Sequence, residues 1–189
     1  MSKAEQPAST GSGPFFERCY QVSFQHSNLT AEALFHTITC EMERFSPDLL
    51  ANFEKTKGVD HCLAVGDEFK IRILGPWNGS VRVTEMGTDY FELVTLENHP
   101  EAGRIRFTLR HHPHLPDTLQ FEIHSWARSR DGLVASTYDT LSIGKKVQEQ
   151  TWRTFCERVA DYCGGLPLGP VSVETIKQDD TKTEVRHEG

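Results

Sequence analysis

The sequence predicts an α+β domain in which a curved antiparallel sheet of six to seven strands wraps around a long C-terminal helix. Between residues 17 and 128, apolar and polar side chains alternate along several short segments, as in strands with one buried and one solvated face. Two short helical segments follow the first strand, and a long helical segment follows the last one. A helix in that final position can cover the dry face of the sheet.

The first strand is expected over 17–26, where apolar residues occupy alternate positions. Thr30 is a candidate N-cap for a helix over 31–45, because apolar side chains then recur with helical spacing. Residues 48–57 are predicted to form a second short helix that ends at Gly58.

Further strands are expected around residues 68–74, 81–83, 90–96, 104–110 and 119–127. Asn78 and Gly79 lie between the first two of these strands, and an Asn-Gly pair favours the tight turn of a β-hairpin. A turn at 113–116 would place Arg106 opposite Glu122 on the next hairpin. The long helix is predicted over 139–163, where a Gly-Gly pair ends it.

The 189 residues suffice for one domain with a sizeable core. The polar, small residues of segment 1–14 predict a disordered leader, and the folded unit is expected to begin at residue 15. Pro167 and Pro170 then interrupt regular structure, and the charged segment 169–189 is expected to be a disordered tail. The folded domain is thus predicted to be 15–168, and its oligomeric state, monomer or dimer, stays open.

The charge balance argues against nucleic acid as a partner. Lys and Arg number 20 and Asp and Glu number 27, a formal net charge of −7, whereas phosphate binding needs a basic face. No apolar run reaches the roughly 18 residues of a transmembrane helix, and the N-terminus lacks the apolar centre of a secretory signal. We therefore expect a cytoplasmic protein whose five cysteines are reduced.

One stretch resembles a known family. Thr95 to Gly103, followed by Phe107, is similar to the hallmark of the uncharacterised DUF1990 family: Gly-Thr-Leu, two variable residues, His-Pro-Glu, one variable residue and Gly. Val94 stands where that family usually has glycine. Gly75-Pro76 and residues 125–128 resemble further positions of the family, and the resemblance spans about residues 26–163.

This resemblance implies a helix-grip, START-like fold of the SRPBCC class. Members of that class bind or carry hydrophobic ligands, or act on them as cyclases and dehydratases. It therefore implies a hydrophobic small molecule, such as a lipid or polyketide, as the partner of this chain. The narrower family offers no reaction to transfer, so an enzymatic activity stays open and is not favoured.

His99, Pro100, Glu101 and Gly103 form the sharpest local signal, and two interpretations stay open. As a site, His99 would act as acid or base with Glu101 beside it at the pocket mouth, because imidazole titrates near neutral pH. As a structural turn, Pro100 fixes φ, Glu101 caps, and Gly103 supplies a backbone conformation that other residues avoid.

A ligand pocket is expected between the sheet and the long helix. Its predicted lining consists of inward-facing, mostly apolar residues: Phe69, Ile71, Phe91, Phe107, Phe121, Ile123, Ser125, Trp152 and Phe155. The same pattern also fits a filled core, in which case the domain would be a protein-interaction module. That module would use the solvated face of the sheet, where Trp126 lies among Arg104, Arg106, Arg110, Arg128 and Arg130.

The sequence predicts no cofactor and no metal. His111, His112 and His114 cluster near a turn, but adjacent strand positions point to opposite faces of a sheet. No Cys or carboxylate completes a recognisable zinc spacing, so an exposed turn rich in histidine is the expectation, and metal binding by this cluster stays open.

Overall fold

The computed structural model describes residues 3–47, 51–59, 61–73, 78–131, 138–179 and 182–189. The strands are β1 Ser12–Gln25, β2 Ala51–Lys57, β3 Glu68–Ile73, β4 Gly79–Met86, β5 Tyr90–Thr95, β6 Glu101–His111, β7 Thr118–Ser129, β8 Leu166–Pro167, β9 Ser172–Gln178 and β10 Thr183–Glu188. The helices are α1 Ala31–Cys40, α2 Met42–Phe45 and α3 Tyr138–Tyr162. A short 3-10 turn, Ala8–Thr10, precedes β1.

The described strands form one antiparallel sheet in the order β10-β9-β1-β7-β6-β5-β4-β3-β2, with β8 also paired to β1. Its ten strands exceed the predicted six to seven. The predicted curved antiparallel sheet with a long C-terminal helix is confirmed. β2 comes from a segment predicted to be helical, β9 and β10 come from the predicted tail, and β8 comes from the short stretch between the predicted helix and the predicted tail.

The helical region after β1 follows the prediction only in its first part. Thr30 caps α1 as expected, because its side-chain oxygen accepts a hydrogen bond from the Ala33 backbone N–H at 3.2 Å. The single helix predicted over 31–45 is instead broken at Glu41, whose backbone φ of −131° is not helical. α1 and α2 are therefore separate helices, and both contribute buried side chains to the core.

The helix predicted over 48–57 is wrong, because 51–57 is strand β2 and 48–50 lie outside the described residues. β2 pairs with β3, with Phe53 opposite Ile71. The alternation of apolar and polar residues is weak in this segment. Among its described side chains, Phe53 is the one that is both large and buried. Ladder hydrogen bonds to β3 thus outweigh a local helical preference.

The β6–β7 hairpin turns near the predicted position, but its register differs by two residues. Arg106 lies opposite His124, whereas Glu122 lies opposite Thr108. The expected Arg106–Glu122 pair is therefore wrong. Arg106 instead bonds to Glu92 on β5, the strand on its other side, at 2.9 Å. The tight turn predicted at Asn78 and Gly79 is wrong, because Gly79 already belongs to β4 and pairs with Ile71 of β3. Residues 74–77, between these strands, lie outside the described residues.

α3 covers the concave face of the sheet. Phe155 on α3 stacks on Phe121 of β7, with ring centroids 5.8 Å apart, and lies 5.5 Å from the ring of Phe107. The helix ends as predicted, because Gly164 adopts a φ of 67° and the Gly165 N–H donates to the Ala160 carbonyl. No helix of the described segments is both long enough and apolar enough to cross a membrane.

The N-terminal segment is ordered where a disordered leader was expected. Gln6 is buried, its N–H donates to the Thr95 carbonyl, and its carbonyl accepts from the Gly103 N–H. β1 then begins at Ser12, before the predicted boundary at residue 15. The leader's few apolar residues gave no pattern, and backbone hydrogen bonds to β5 and β6 hold it instead.

The disordered tail predicted over 169–189 is also wrong. β9 pairs along β1, and β10 pairs with β9. Val171 and Val173 are buried in the core. The edge of β1 would otherwise expose a row of unpaired backbone groups, so a chain segment with only weak patterning gains by pairing there.

The expectation of five reduced cysteines is wrong for two of them. Cys40 and Cys62 form a disulfide across a sequence separation of 22, while Cys19, Cys156 and Cys163 are free. The Leu63 N–H donates to the Thr39 carbonyl at 2.9 Å, and this hydrogen bond brings the 61–63 segment beside the end of α1. The two sulfurs meet through this long-range contact, which their spacing in the sequence does not reveal.

Replacing Cys62 by Ser should lower the free energy of unfolding by about 3 kcal/mol, because the unfolded chain regains the entropy of a loop of this length. Urea unfolding of both proteins without reductant measures the difference. In dithiothreitol the two curves should converge. A wild-type protein that reductant does not destabilise would contradict a stabilising disulfide.

Candidate functional site

The β5–β6 connection holds the His-Pro-Glu stretch in a tight turn. The His99 N–H donates to the Leu96 carbonyl at 3.0 Å, and Asn98 adopts a left-handed φ of 72°. The side-chain amide of Gln6 donates to the carbonyl oxygens of both His99 and Glu101, each at 2.9 Å. The turn is therefore fixed from within and by the N-terminal segment.

The His99 ring is buried inside this turn. Its Nδ1 lies 3.0 Å from the Glu101 backbone nitrogen and 2.9 Å from the Glu101 carbonyl oxygen, so either neutral tautomer makes a hydrogen bond there. The ring also packs against Gly79, where an added Cβ would overlap it. Burial lowers the pKa of His99. These contacts are those of a neutral, structural histidine.

Gly103 serves the turn for a different reason than the sequence suggested. Its φ is not positive, so the expected special backbone conformation is wrong. A Cβ at Gly103 would instead overlap the backbone of Trp126 and Ala127 on β7. Glycine is required here because two strands approach closely.

The Glu101 carboxylate faces the interior, towards α3. Gln148 Nε2 donates to Glu101 Oε2 at 2.9 Å, and Arg18 Nη1 lies 4.0 Å from Glu101 Oε1. The His99 ring faces the backbone of its own turn and Gly79. His99 and Glu101 are two residues apart in the sequence. Among the described residues, however, their side chains do not form a His–carboxylate pair.

The nine residues predicted to line a pocket between sheet and α3 lie in the buried core. Phe91 and Phe107 stack with centroids 4.6 Å apart, and Trp152 meets Phe107 edge-on at 5.7 Å. Phe121 and Phe155 continue this aromatic group. The centre of the predicted pocket is thus filled by these rings within the described part of the chain.

A cavity of about 490 Å³ lies to one side of this aromatic group, against α1, α2, β2 and β3. Phe69 is the member of the predicted set that lines it. The remaining wall was not foreseen from the sequence: Thr39, Cys40, Glu41, Met42, Glu43, Arg44, Lys55, His61 and Leu63. The sequence did not predict this wall because it favoured a helix over 48–57. In the structure, β2 and the segment that follows it form part of the wall instead.

Lys55 at the cavity wall is held by neighbouring groups. Its ammonium donates to Asp67 at 3.0 Å and to the carbonyls of Val59 and His61 at 2.9 and 3.1 Å. The floor of the cavity is apolar, formed by Met42, Leu63 and Phe69. The space thus combines an apolar interior with a charged rim.

Arg18 is a buried charged residue that the sequence analysis did not identify. It lies on the same face of β1 as Tyr20, and its side chain is only 8% exposed. In the register with β7 it stands opposite Ser125, which is also buried. A charged residue two positions before Tyr20, on the apolar face of an alternating strand, was the signal that could have revealed it.

The outer face of the sheet carries the arginines as predicted, and its charges are paired. Arg106 contacts Glu85 at 3.0 Å and Glu92 at 2.9 Å. Trp126 stacks on His124 at 3.9 Å, with the Arg104 guanidinium 4.7 Å from its ring centroid. Trp126 is therefore packed between neighbours on that face rather than standing out as an isolated aromatic.

His111, His112 and His114 do not gather around a common point in the structure. His112 Nδ1 accepts hydrogen bonds from the backbone N–H groups of His114 and Leu115, so its ring stabilises the turn. The groups with metal-ligating geometry among the described residues do not contain these three histidines.

Two other clusters have such geometry. His36 Nε2 lies 3.6 Å from the sulfur of Cys40 and 3.9 Å from that of Cys62, the two disulfide-bonded cysteines. The second cluster consists of Cys19, Glu122 and His124, with ligand atoms within 4.8 Å of one another. The β1–β7 register brings the second cluster together, and no spacing in the sequence reveals it.

The groups of this second cluster are stable without a metal, His124 through its hydrogen bonds and Cys19 through its burial. His124 Nε2 donates to Glu17 at 2.8 Å. Burial opposes protonation of His124, but its bonds to Glu122 and Glu17 outweigh burial and raise its pKa. Burial, together with Glu122 and Glu174, raises the pKa of the Cys19 thiol to about 12. Cys19 is therefore a neutral thiol and a poor nucleophile.

Residues 5–158 match the family described as a domain of unknown function, DUF1990. The chain belongs to the DUF1990 family. The resemblance of the His-Pro-Glu stretch is thereby confirmed, and the match extends into the N-terminal segment that holds this turn. Among curated proteins, no match to the chain was found.

Solved structures share the fold at low sequence identity. Norcoclaurine synthase from Thalictrum flavum is 7% identical with a TM-score of 0.53, over 86% of this chain and 92% of that protein. A hypothetical protein from Helicobacter pylori is 10% identical with a TM-score of 0.50, over 77% and 86%. A major latex-like protein from Panax ginseng is 10% identical with a TM-score of 0.49, over 80% and 99%. The chain thus has the helix-grip fold, a curved antiparallel sheet around a long C-terminal helix, that it shares with norcoclaurine synthase, as expected.

The buried His99 ring predicts a stability loss on acidification. The folded protein binds a proton at His99 at lower pH than the unfolded chain, whose pKa is near 6.5. The contribution of neutral His99 is therefore complete above that pH and is lost as the pH falls below it, by at most about 1.4 kcal/mol per pH unit. Urea unfolding across this range should show a flatter pH dependence for His99→Gln than for the wild type.

His114→Gln, at an exposed position, serves as the matched control and should keep the wild-type pH dependence. Equal slopes for His99→Gln and the wild type would show that His99 is not the buried neutral group described above.

Proposed function

We propose that this DUF1990 domain binds a hydrophobic small molecule in the open cavity lined by α1, α2, β2 and β3. The observation that carries the proposal is the cavity itself, whose volume of about 490 Å³ lies within the range of ligand pockets. Its apolar floor of Met42, Leu63 and Phe69 suits an apolar body. The position differs from the site expected under the centre of α3, which the aromatic core fills.

The charged residues at the rim indicate that the cavity is open to solvent rather than sealed. Arg44 and Glu41 line the cavity and pair with each other on the surface. Lys55 is fixed by Asp67, so it does not enter the apolar space as a free cation. A ligand would therefore bury apolar atoms against the floor and leave polar atoms near this rim.

The shared fold adds support of a general kind. The norcoclaurine synthase structure is a complex with dopamine and hydroxybenzaldehyde, two small aromatic molecules. At 7% identity this likeness concerns the fold alone. We infer that the interior of this chain also binds a small molecule.

The proposal includes no reaction. An enzyme that used His99 and Glu101 would need both groups directed at one substrate, whereas they have separate partners. An interaction module on the outer sheet face would need unpaired charge or exposed aromatic surface around Trp126, and Arg104, Arg106 and Arg110 there are paired with glutamates. We also propose the cytoplasm as the compartment, although disulfides such as Cys40–Cys62 are rare in reducing compartments.

A variant that fills the cavity tests the proposal. Nile red, a neutral dye whose fluorescence rises in apolar surroundings, should bind the wild-type protein with saturation. Leu63→Trp places a larger side chain in the cavity and should weaken dye binding by about tenfold or more. Fluorescence titration gives both dissociation constants, and thermal unfolding verifies that the variant is folded.

Leu115→Trp is the matched control, because it makes the same substitution at an exposed position in the β6–β7 turn. It should bind Nile red like the wild type. Absence of saturable binding to the wild type, or equal binding by Leu63→Trp, would overturn the proposed cavity.

A further inference from the structure

An imidazole and two cysteine sulfurs lie together at the end of α1. His36 and Cys40 are four residues apart on this helix, so their side chains share one face. Cys62 comes from the segment between β2 and β3. The possible ligand atoms of the three residues lie within 4.8 Å of one another. We call His36, Cys40 and Cys62 the thiol–imidazole cluster.

Hydrogen bonds, and not only the disulfide, hold the segment that carries Cys62. Before Cys62, the Lys55 ammonium donates to the His61 carbonyl at 3.1 Å. After it, the Leu63 N–H donates to the Thr39 carbonyl at 2.9 Å. Neither bond involves a sulfur atom, so both can keep Cys62 beside the end of α1 when the disulfide is reduced.

A disulfide by itself does not account for the third member of the cluster, because a bonded sulfur needs no imidazole beside it. In a reducing compartment, thiol–disulfide exchange with two molecules of a cellular thiol leaves two protein thiols and oxidises the cellular thiol to its own disulfide. Two cysteine sulfurs and a histidine nitrogen then lie side by side. Thiolate and imidazole are the ligands that Zn²⁺ takes in proteins.

We propose that the reduced thiol–imidazole cluster binds one Zn²⁺ ion, with His36, Cys40 and Cys62 as its ligands. Binding releases the two thiol protons to solvent, because thiolate is the form that binds the metal. Water fills the fourth tetrahedral position. The disulfide and the zinc site exclude each other, since both use the same two sulfurs. This inference goes beyond the proposed function and does not depend on it.

The distances in the cluster agree with zinc coordination. With bonds of about 2.1 Å to nitrogen and about 2.3 Å to sulfur, tetrahedral zinc places nitrogen and sulfur about 3.6 Å apart. His36 Nε2 lies 3.6 Å from Cys40 Sγ and 3.9 Å from Cys62 Sγ. The imidazole therefore already has the required spacing, and His36 is exposed, so its ring can turn towards the ion. On reduction the sulfurs would separate to about 3.8 Å by rotation of the cysteine side chains.

The donor atoms of the cluster favour zinc over the hard cations. Mg²⁺ and Ca²⁺ are bound through oxygen, whereas the cluster offers two sulfurs and one nitrogen and contains no carboxylate. The neighbouring carboxylate of Glu41 is paired with the Arg44 guanidinium. A borderline-soft cation is thus the one that this ligand set selects.

Zinc titration of the untagged, full-length chain tests this inference. Tris(carboxyethyl)phosphine first reduces the disulfide: the phosphine gives up two electrons, gains an oxygen from water and becomes its oxide, and the same water supplies the two thiol protons. Competition with a chromophoric chelator then measures the affinity for Zn²⁺. The reduced wild type should bind one ion per chain with a dissociation constant below about 1 μM.

Each ligand makes a separate contribution that substitution measures. Cys40→Ser and Cys62→Ser should each weaken zinc binding by about a hundredfold or more, and His36→Gln by about tenfold or more. Cys19→Ser is the matched control, because it removes a free cysteine and belongs to the other cluster with ligand geometry. It should bind zinc like the wild type.

Two further measurements do not depend on the folding of a variant. Co²⁺ in place of Zn²⁺ should give the reduced wild type the visible absorption of a tetrahedral site and thiolate-to-cobalt charge transfer. Diamide then takes two electrons from the two thiolates and two protons from water, and the disulfide reforms. The bound metal should be released as it does so. Thermal unfolding verifies the fold of each variant.

Several results would overturn the zinc site. The reduced wild type would bind no zinc, or only with a dissociation constant above the stated limit. The disulfide form would bind as tightly as the reduced form, or His36→Gln would bind like the wild type. An equal loss in Cys19→Ser would place the ion in the other cluster. None of these results affects Nile red binding to the cavity, so the two proposals fail separately.

Discussion

The packing of Phe155 against the sheet is the contact on which the rest of the structure depends. Its ring lies against Phe121, Phe107 and Trp152 on one side and against Phe45 of α2 on the other. Burying such rings removes a large apolar area from water, and aromatic pairs gain further from offset and edge geometries. This group joins the long helix, the sheet and the short helices into one core.

Filling the centre has a direct consequence for the interior space. Because rings occupy the middle of the helix–sheet interface, the space that remains lies to the sides of them. On one side it is the cavity against β2 and β3, with its apolar floor. Away from this cavity, buried Arg18 lies opposite buried Ser125, with the Glu101 carboxylate 4.0 Å from Arg18. The aromatic core thus separates an apolar wall from a polar one.

The two ends of the chain complete the sheet and its turns. Gln6 holds the His99 turn by accepting and donating backbone hydrogen bonds, and β9 covers the edge of β1. β1 is also the strand that carries Arg18 into the interior. A segment that pairs along β1 therefore keeps Arg18 in register with β7, so regions with no chemistry of their own help to position the interior groups.

The sequence by itself determined the fold class, the long C-terminal helix, the Thr30 cap and the inward positions of the aromatic core, because these follow from local periodicity and capping chemistry. It also identified the His-Pro-Glu turn, but it did not reveal that the side chains of His99 and Glu101 have different partners. Tertiary structure alone decided that 51–57 pairs as a strand, that Cys40 meets Cys62, and that the chain ends are ordered. It also decided that Arg18 is buried opposite Ser125. Each of these depends on contacts between residues far apart in the chain, and local patterns carry no information about a partner that only the folded sheet brings near.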